Sequence, residues 1–112
     1  MKTTKDQAGA IAAKLAPAGE VLARPMFGEY GLYLDGVFIG VICGGLLYLK
    51  PTEAARALLR APAEAAPYPG ARPHLQIADE DLNDPAHMAE VIALTIANLP
   101  KRPARKKRVS PG

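Results

Sequence analysis

The chain is 112 residues long, 49% hydrophobic and 22% charged, with one cysteine and no tryptophan. That bounds it at one domain and excludes a disordered protein, an internal disulfide framework and a multi-thiolate zinc site. The net charge of +3 divides unevenly, because 101–108 (KRPARKKR) holds six of the fourteen Lys and Arg and no acid, leaving eight basic against eleven acidic residues elsewhere.

The opening MKTTKDQ lacks the apolar region of a signal peptide, and the apolar stretch Gly36 to Leu49 is too short and Gly-broken for a membrane-spanning helix. These features predict a cytoplasmic domain over residues 1–100 with no membrane association, and a basic, disordered tail over 101–112. In the N-terminal segment, Thr4 and Gln7 fit a capping box, and Ala8, Ile11, Ala12 and Leu15 fall on one helical stripe that Pro17 and Gly19 end.

Residues 24–50 read as a β-meander. Tyr30–Leu34, Val37–Cys43 and Leu46–Lys50 are separated by Asp35-Gly36 and Gly44-Gly45, two-residue sequences that favour primed turns. Arg24–Gly28 adds a short strand in front, its Pro25 pointing to a sheet edge. A regular ladder from those turns opposes Leu32 to Ile39, Gly31 to Gly40 and Tyr30 to Val41. One face then carries Tyr30, Leu32, Leu34, Val37, Ile39, Val41, Cys43, Leu46 and Tyr48, and the other Gly31, Tyr33, Phe38, Gly40, Ile42, Leu47 and Leu49. Both are apolar, so either helices cover both faces or one is an interface.

Thr52 caps a second helix, and the prolines between 62 and 73 mark a loop. His74–Ile77 is a short strand, Asp79, Glu80, Asp81 and Asp84 an acidic turn, and Asp84-Pro85 a helix start. Met88, Val91, Ile92, Ile96 and Leu99 supply the last apolar stripe, up to Pro100. The expected fold class is α+β, an antiparallel meander flanked by N-terminal and C-terminal helices.

The string Arg24-Pro-Met-Phe-Gly-Glu-Tyr-Gly-Leu-Tyr-Leu-Asp-Gly36, with Gly44-Gly-Leu-Leu-Tyr-Leu-Lys50 and Tyr68-Pro-Gly-Ala-Arg-Pro73, resembles the N-terminal domain of the TfoX/Sxy family across about residues 5–100. The resemblance implies a meander sheet with flanking helices and no assigned catalytic residues. It also implies a regulatory or protein-interaction role, because the family name comes from competence regulators that help the cyclic-AMP receptor protein act at promoters. Those regulators carry a second, helical domain in addition to this one, whereas only a basic tail follows here.

Residue chemistry points away from catalysis, and no cofactor is expected. Cys43, in line with Val37, Ile39 and Val41, reads as a buried hydrophobe and not as a nucleophile beside His74 or His87. His87 reads as a solvated residue of a first helical turn. The acids at 79–84 lack the central Gly of a calcium loop, and the two histidines have no Cys pair to complete a zinc site, so no metal is expected. The opposed Gly31 and Gly40, with Tyr33 and Phe38 nearby, predict a shallow slot that admits either a close helix, the Ala stripe of the first helix being the plainer occupant, or a small ligand. Two apolar faces predict a homodimer centred near Met26, Phe27 and Tyr30, with a transcription regulator as the further partner that the resemblance implies. Lys101, Arg102, Arg105, Lys106, Lys107 and Arg108 predict sequence-blind, salt-sensitive contact with nucleic acid.

Overall fold

The computed structural model describes residues 2–99; the basic tail, with Lys101 to Arg108, lies outside the described residues. The chain opens with α1 (Lys5–Lys14), where Gln7 N–H donates to Thr4 Oγ1 at 3.1 Å and Thr4 N–H to Gln7 Oε1 at 2.9 Å, completing the capping box. A 3₁₀ turn over Ala16–Ala18 carries Pro17 and ends at Gly19. Four strands follow as a meander: β1 (Val21–Met26), β2 (Glu29–Leu34), β3 (Val37–Cys43) and β4 (Leu46–Leu49). Then come α2 (Glu53–Leu58), β5 (Glu64–Ala65), β6 (His74–Gln76), α3 (Asp79–Leu82) and α4 (Pro85–Asn98). All six strands form one antiparallel sheet in the order β1-β2-β3-β4-β6-β5. The expected α+β meander is present. β1 begins three residues earlier than its composition suggested, and the proline-rich loop contributes the two residues of β5.

The β2–β3 ladder departs from regularity. Leu34 faces Val37 and Tyr33 faces Phe38, as the Asp35-Gly36 turn dictates, but Leu32 then faces Gly40, Gly31 faces Val41 and Tyr30 faces Ile42. Ile39 is an extra residue in β3, a β-bulge. Gly40 permits it. A Cβ there would lie 2.1 Å from the Tyr48 carbonyl oxygen and 3.0 Å from Leu49 Cα, so no larger residue fits between β3 and β4.

The bulge re-sorts the faces. Ile39 and Ile42 both turn toward the helices, joining Leu32, Leu34, Leu47, Leu49 and Leu75 in a core closed by Ala8, Ile11 and Leu15 of the N-terminal segment, Ala55 of α2, and Met88, Val91 and Ile92 of α4. Each large side chain fully withdrawn from water there contributes about 1.5–3 kcal/mol. Val41, Cys43 and Tyr48 form a second cluster on the opposite face, packed by Met26, Phe38 and Ala65. The predicted faces are therefore corrected from the bulge onward, and the helices cover one face only. No helix among the described residues is long and apolar enough to cross a membrane.

Candidate functional site

The uncovered face carries a row of aromatic and cationic side chains. Tyr33 of β2 and Phe38 of β3 are cross-strand partners with ring centroids 5.2 Å apart. The Arg24 guanidinium sits 5.7 Å from the Tyr33 ring centre and Lys50 Nζ 4.8 Å from that of Phe38, within cation–π range. Where β1 begins, Glu20, Leu22, Arg24, Tyr33 and Gly36 line a cavity of about 330 Å³. Leu22 and Leu46 stand 46% and 42% exposed on this face.

At the other end of β1, Phe27 and Gly28 form the two-residue turn into β2, with φ of 51° and 83°, the left-handed pair of a primed turn. Phe27 is 96% exposed. The three residues expected to form an interaction centre are split by the sheet. Met26 lies on the uncovered face against Val41, Cys43 and Tyr48, Tyr30 packs against the helix-side core, and Phe27 projects from the turn.

The predicted slot is absent, because the bulge moves Gly40 out of register with Gly31. The space above Gly31 is taken by Met26, Phe38 and Tyr33, whose nearest atoms lie 3.3, 3.3 and 3.5 Å from where its Cβ would stand. Tyr33 and Phe38 remain together, as a paired platform without the slot.

Cys43 is buried at the end of β3, and burial, followed by the Glu29 carboxylate, pushes its thiol above the usual range. Burial would also raise the Glu29 carboxyl, but hydrogen bonds from the Thr3 hydroxyl and from the N–H groups of Thr3 and Gly44 outweigh it and hold that carboxyl below its ordinary value. Thr3 Oγ1 also accepts from Gly45 N–H at 2.9 Å, tying the N-terminus to the β3–β4 turn.

The acidic segment has a centre that the sequence did not disclose. Asp81, fully buried, accepts from Arg60 N–H at 2.8 Å, Ala61 N–H at 3.2 Å and His87 Nε2 at 2.6 Å. His87 is therefore a buried partner, correcting its reading as a solvated residue. Burial pushes the Asp81 carboxyl up, but the Arg60 N–H, the His87 ring and the Ala61 N–H together hold it below the ordinary carboxylate value. Asp84 caps α4 by accepting from His87 N–H and pairs with Arg60 Nη2 at 2.7 Å. These carboxylates are occupied in stapling the α2–β5 loop to α4. His74 lies elsewhere, its Nδ1 2.8 Å from the Arg72 carbonyl, and no group of three or more metal-ligating side chains assembles among the described residues.

The molecule is thus an α+β domain whose helices close one face of the meander and whose second face carries an aromatic and cationic row, with an exposed hairpin where β1 turns into β2. The chain belongs to the TfoX N-terminal domain family, whose pattern it matches over residues 13–99. It is also 33% identical over 113 residues to the "Uncharacterized 12.7 kDa protein in trpE 5'region" of Spirochaeta aurantia, an alignment spanning all of this chain and 97% of that protein.

Proposed function

We propose that the domain is a non-enzymatic interaction module that binds a protein partner through the uncovered sheet face, with a transcription regulator as the class of partner that family membership suggests. The observation that carries this reading is the one-sided placement of the helices, which leaves Leu22, Arg24, Tyr33, Phe38 and Leu46 on a face of mixed apolar, aromatic and arginine character. Aromatics and arginine dominate binding energy at protein interfaces, whereas lysine and acids are depleted there. Chemistry is disfavoured by the state of the reactive groups. Cys43 is buried with a raised pKa, and the Asp81–His87 pair is bound up with the backbone N–H groups of Arg60 and Ala61.

The test compares the full chain with Tyr33→Glu and Leu46→Glu, two changes at solvent-reachable positions of the uncovered face. Partners recovered quantitatively from cell extract with the parent chain should be lost with both variants, while their circular dichroism and melting stay near those of the parent. Retention of the same partners by both variants overturns the assignment of this face.

A further inference from the structure

We propose that β1 pairs with β1 of a second copy of this chain, antiparallel about a two-fold axis at Ala23, so that each Phe27 enters the cavity at the start of the partner's β1. The inference concerns the sheet edge and goes beyond the partner reading, but it takes up Leu22, Arg24 and Tyr33 at one end of the uncovered face. Leu46→Glu, outside the cavity, should therefore spare self-association, and it tells the two readings apart.

The backbone of β1 fixes the register. β1 is the terminal strand, and nothing among the described residues pairs with its outer side. The two-residue Phe27-Gly28 turn makes Met26 and Glu29 a hydrogen-bonded pair. Alternation then turns Leu22 and Arg24 inward as well, and at the far end Asp35 N–H donates to the Glu20 carbonyl at 2.8 Å, in phase with that pattern. The N–H and C=O groups of Val21 and Ala23, and the carbonyl of Pro25, therefore point out of the sheet.

Proline can accept but not donate, which selects among the possible pairings. With the axis at Ala23, the two Ala23 residues exchange both of their hydrogen bonds, and each Val21 N–H donates to the partner subunit's Pro25 carbonyl. With the axis at Pro25 the central pair would form none, and with the axis at Val21 the overlap shortens. An axis at Leu22 makes as many bonds, but sets Phe27 opposite the partner subunit's Pro17, outside the strand. The axis at Ala23 sets it opposite the partner subunit's Gly19, next to the cavity residue Glu20 of the partner subunit.

The same register matches side chains. Along the helix side the meeting residues are Val21, Ala23 and Pro25, all apolar. On the uncovered side Leu22 falls opposite the partner subunit's Arg24, which places Glu20 diagonal to that guanidinium, within reach of long side chains. The two ends of β1 are complementary too. One end holds the cavity of about 330 Å³ lined by Glu20, Leu22, Arg24, Tyr33 and Gly36. The other presents Phe27, 96% exposed and held at φ 51°. Antiparallel pairing brings each phenylalanine to the other subunit's cavity, the reciprocity a two-fold interface requires.

Sedimentation velocity on the full chain from about 1 to 100 µM tests this, since a dimer of this kind dissociates by mass action. The parent should show a concentration-dependent monomer–dimer equilibrium. Phe27→Asn should weaken it at least about tenfold, as loss of a buried aromatic anchor does, while melting at the parent's temperature or above at concentrations where both are monomeric, because asparagine accepts a positive φ. Arg24→Glu should weaken it, and Glu20→Arg combined with Arg24→Glu should restore it. Pro25→Val, which supplies the missing N–H opposite the Val21 carbonyl, should tighten it. A parent chain that stays monomeric throughout, or a dimer indifferent to these four changes, overturns the proposal.

Discussion

Replacing Asp81 by alanine is the sharpest test of what holds the α2–β5 loop against α4. The carboxylate is fully buried and accepts from two backbone N–H groups and from the His87 ring, at 2.8, 3.2 and 2.6 Å. Hydrogen bonds to a charged group contribute about 1.5–3 kcal/mol each, and stranding their buried partners adds desolvation cost, although the three contributions are not additive. Taken together below their simple sum, these losses come to about 3–5 kcal/mol. Against a total stability of about 5–15 kcal/mol, Asp81→Ala should remove a large fraction of the folding free energy. In a domain of this size the melting temperature should fall by about 12–40 °C, from about 4–8 °C per kcal/mol. Arg60→Gln, which loses the half-exposed pair with Asp84 and the exposed guanidinium bond to the Glu80 carbonyl, should cost about 1 kcal/mol. Urea unfolding at neutral pH followed by circular dichroism measures both. Titration gives a second readout with a definite sign. The Asp81 carboxyl lies below its ordinary value in the fold, so its contribution is present above the usual carboxylate pKa of about 3.9 and is lost as pH falls through the lowered one. Asp81→Asn should therefore flatten the acid limb of the stability curve. An Asp81→Ala protein within about 1 kcal/mol of the parent would refute the argument that this carboxylate organises the loop.

Gly40→Ala should cost about 3 kcal/mol or more, because the new methyl would meet the backbone of β4 at 2.1 Å and must push two paired strands apart; an unchanged urea midpoint would refute the bulge. Cys43 should react slowly with a thiol reagent in the native state and rapidly once unfolded, since burial both shields it and raises its pKa. Fast labelling of the folded chain would show that the second cluster is open.

The elements legible in the sequence were those set by local chemistry. Thr4 and Gln7, Thr52, and Asp84-Pro85 start their helices where capping requires, and Asp35-Gly36 and Gly44-Gly45 close their hairpins with the expected positive φ or primed pairing. Register beyond the second pair was not legible from turn length alone, because a bulge breaks the count. The signal for it was Gly40 inside an otherwise continuous apolar strand, a position where glycine marks a bulge or a close backbone approach. Phe27-Gly28 reads as strand because an aromatic is unusual at the first position of a primed turn. The Asp81–His87 pair depends on α3 folding back and on a loop some twenty residues earlier, and no local pattern encodes that meeting.

Two non-glycine residues among those described hold a positive φ, and the difference between them bears on function. Asp35, at φ 49°, recovers the cost locally: its carboxylate accepts from Glu20 N–H at 2.9 Å and its own N–H donates to the Glu20 carbonyl at 2.8 Å, clamping the start of β1 to the β2–β3 turn. Phe27, at φ 51°, has no polar side-chain atom with which to do the same, and its ring meets solvent over nearly its whole surface. An asparagine or glycine in its place would remove the strain and the exposed apolar area together. A choice that breaks two local rules without a return inside the chain is characteristic of a surface that acts on something outside it. Because the strain and the cavity lie at opposite ends of the same outer strand, a single antiparallel contact answers both. That is the physical reason for placing a second copy at β1, over the Arg24–Tyr33 end of the uncovered face, and leaving Phe38 and Leu46 to a different partner.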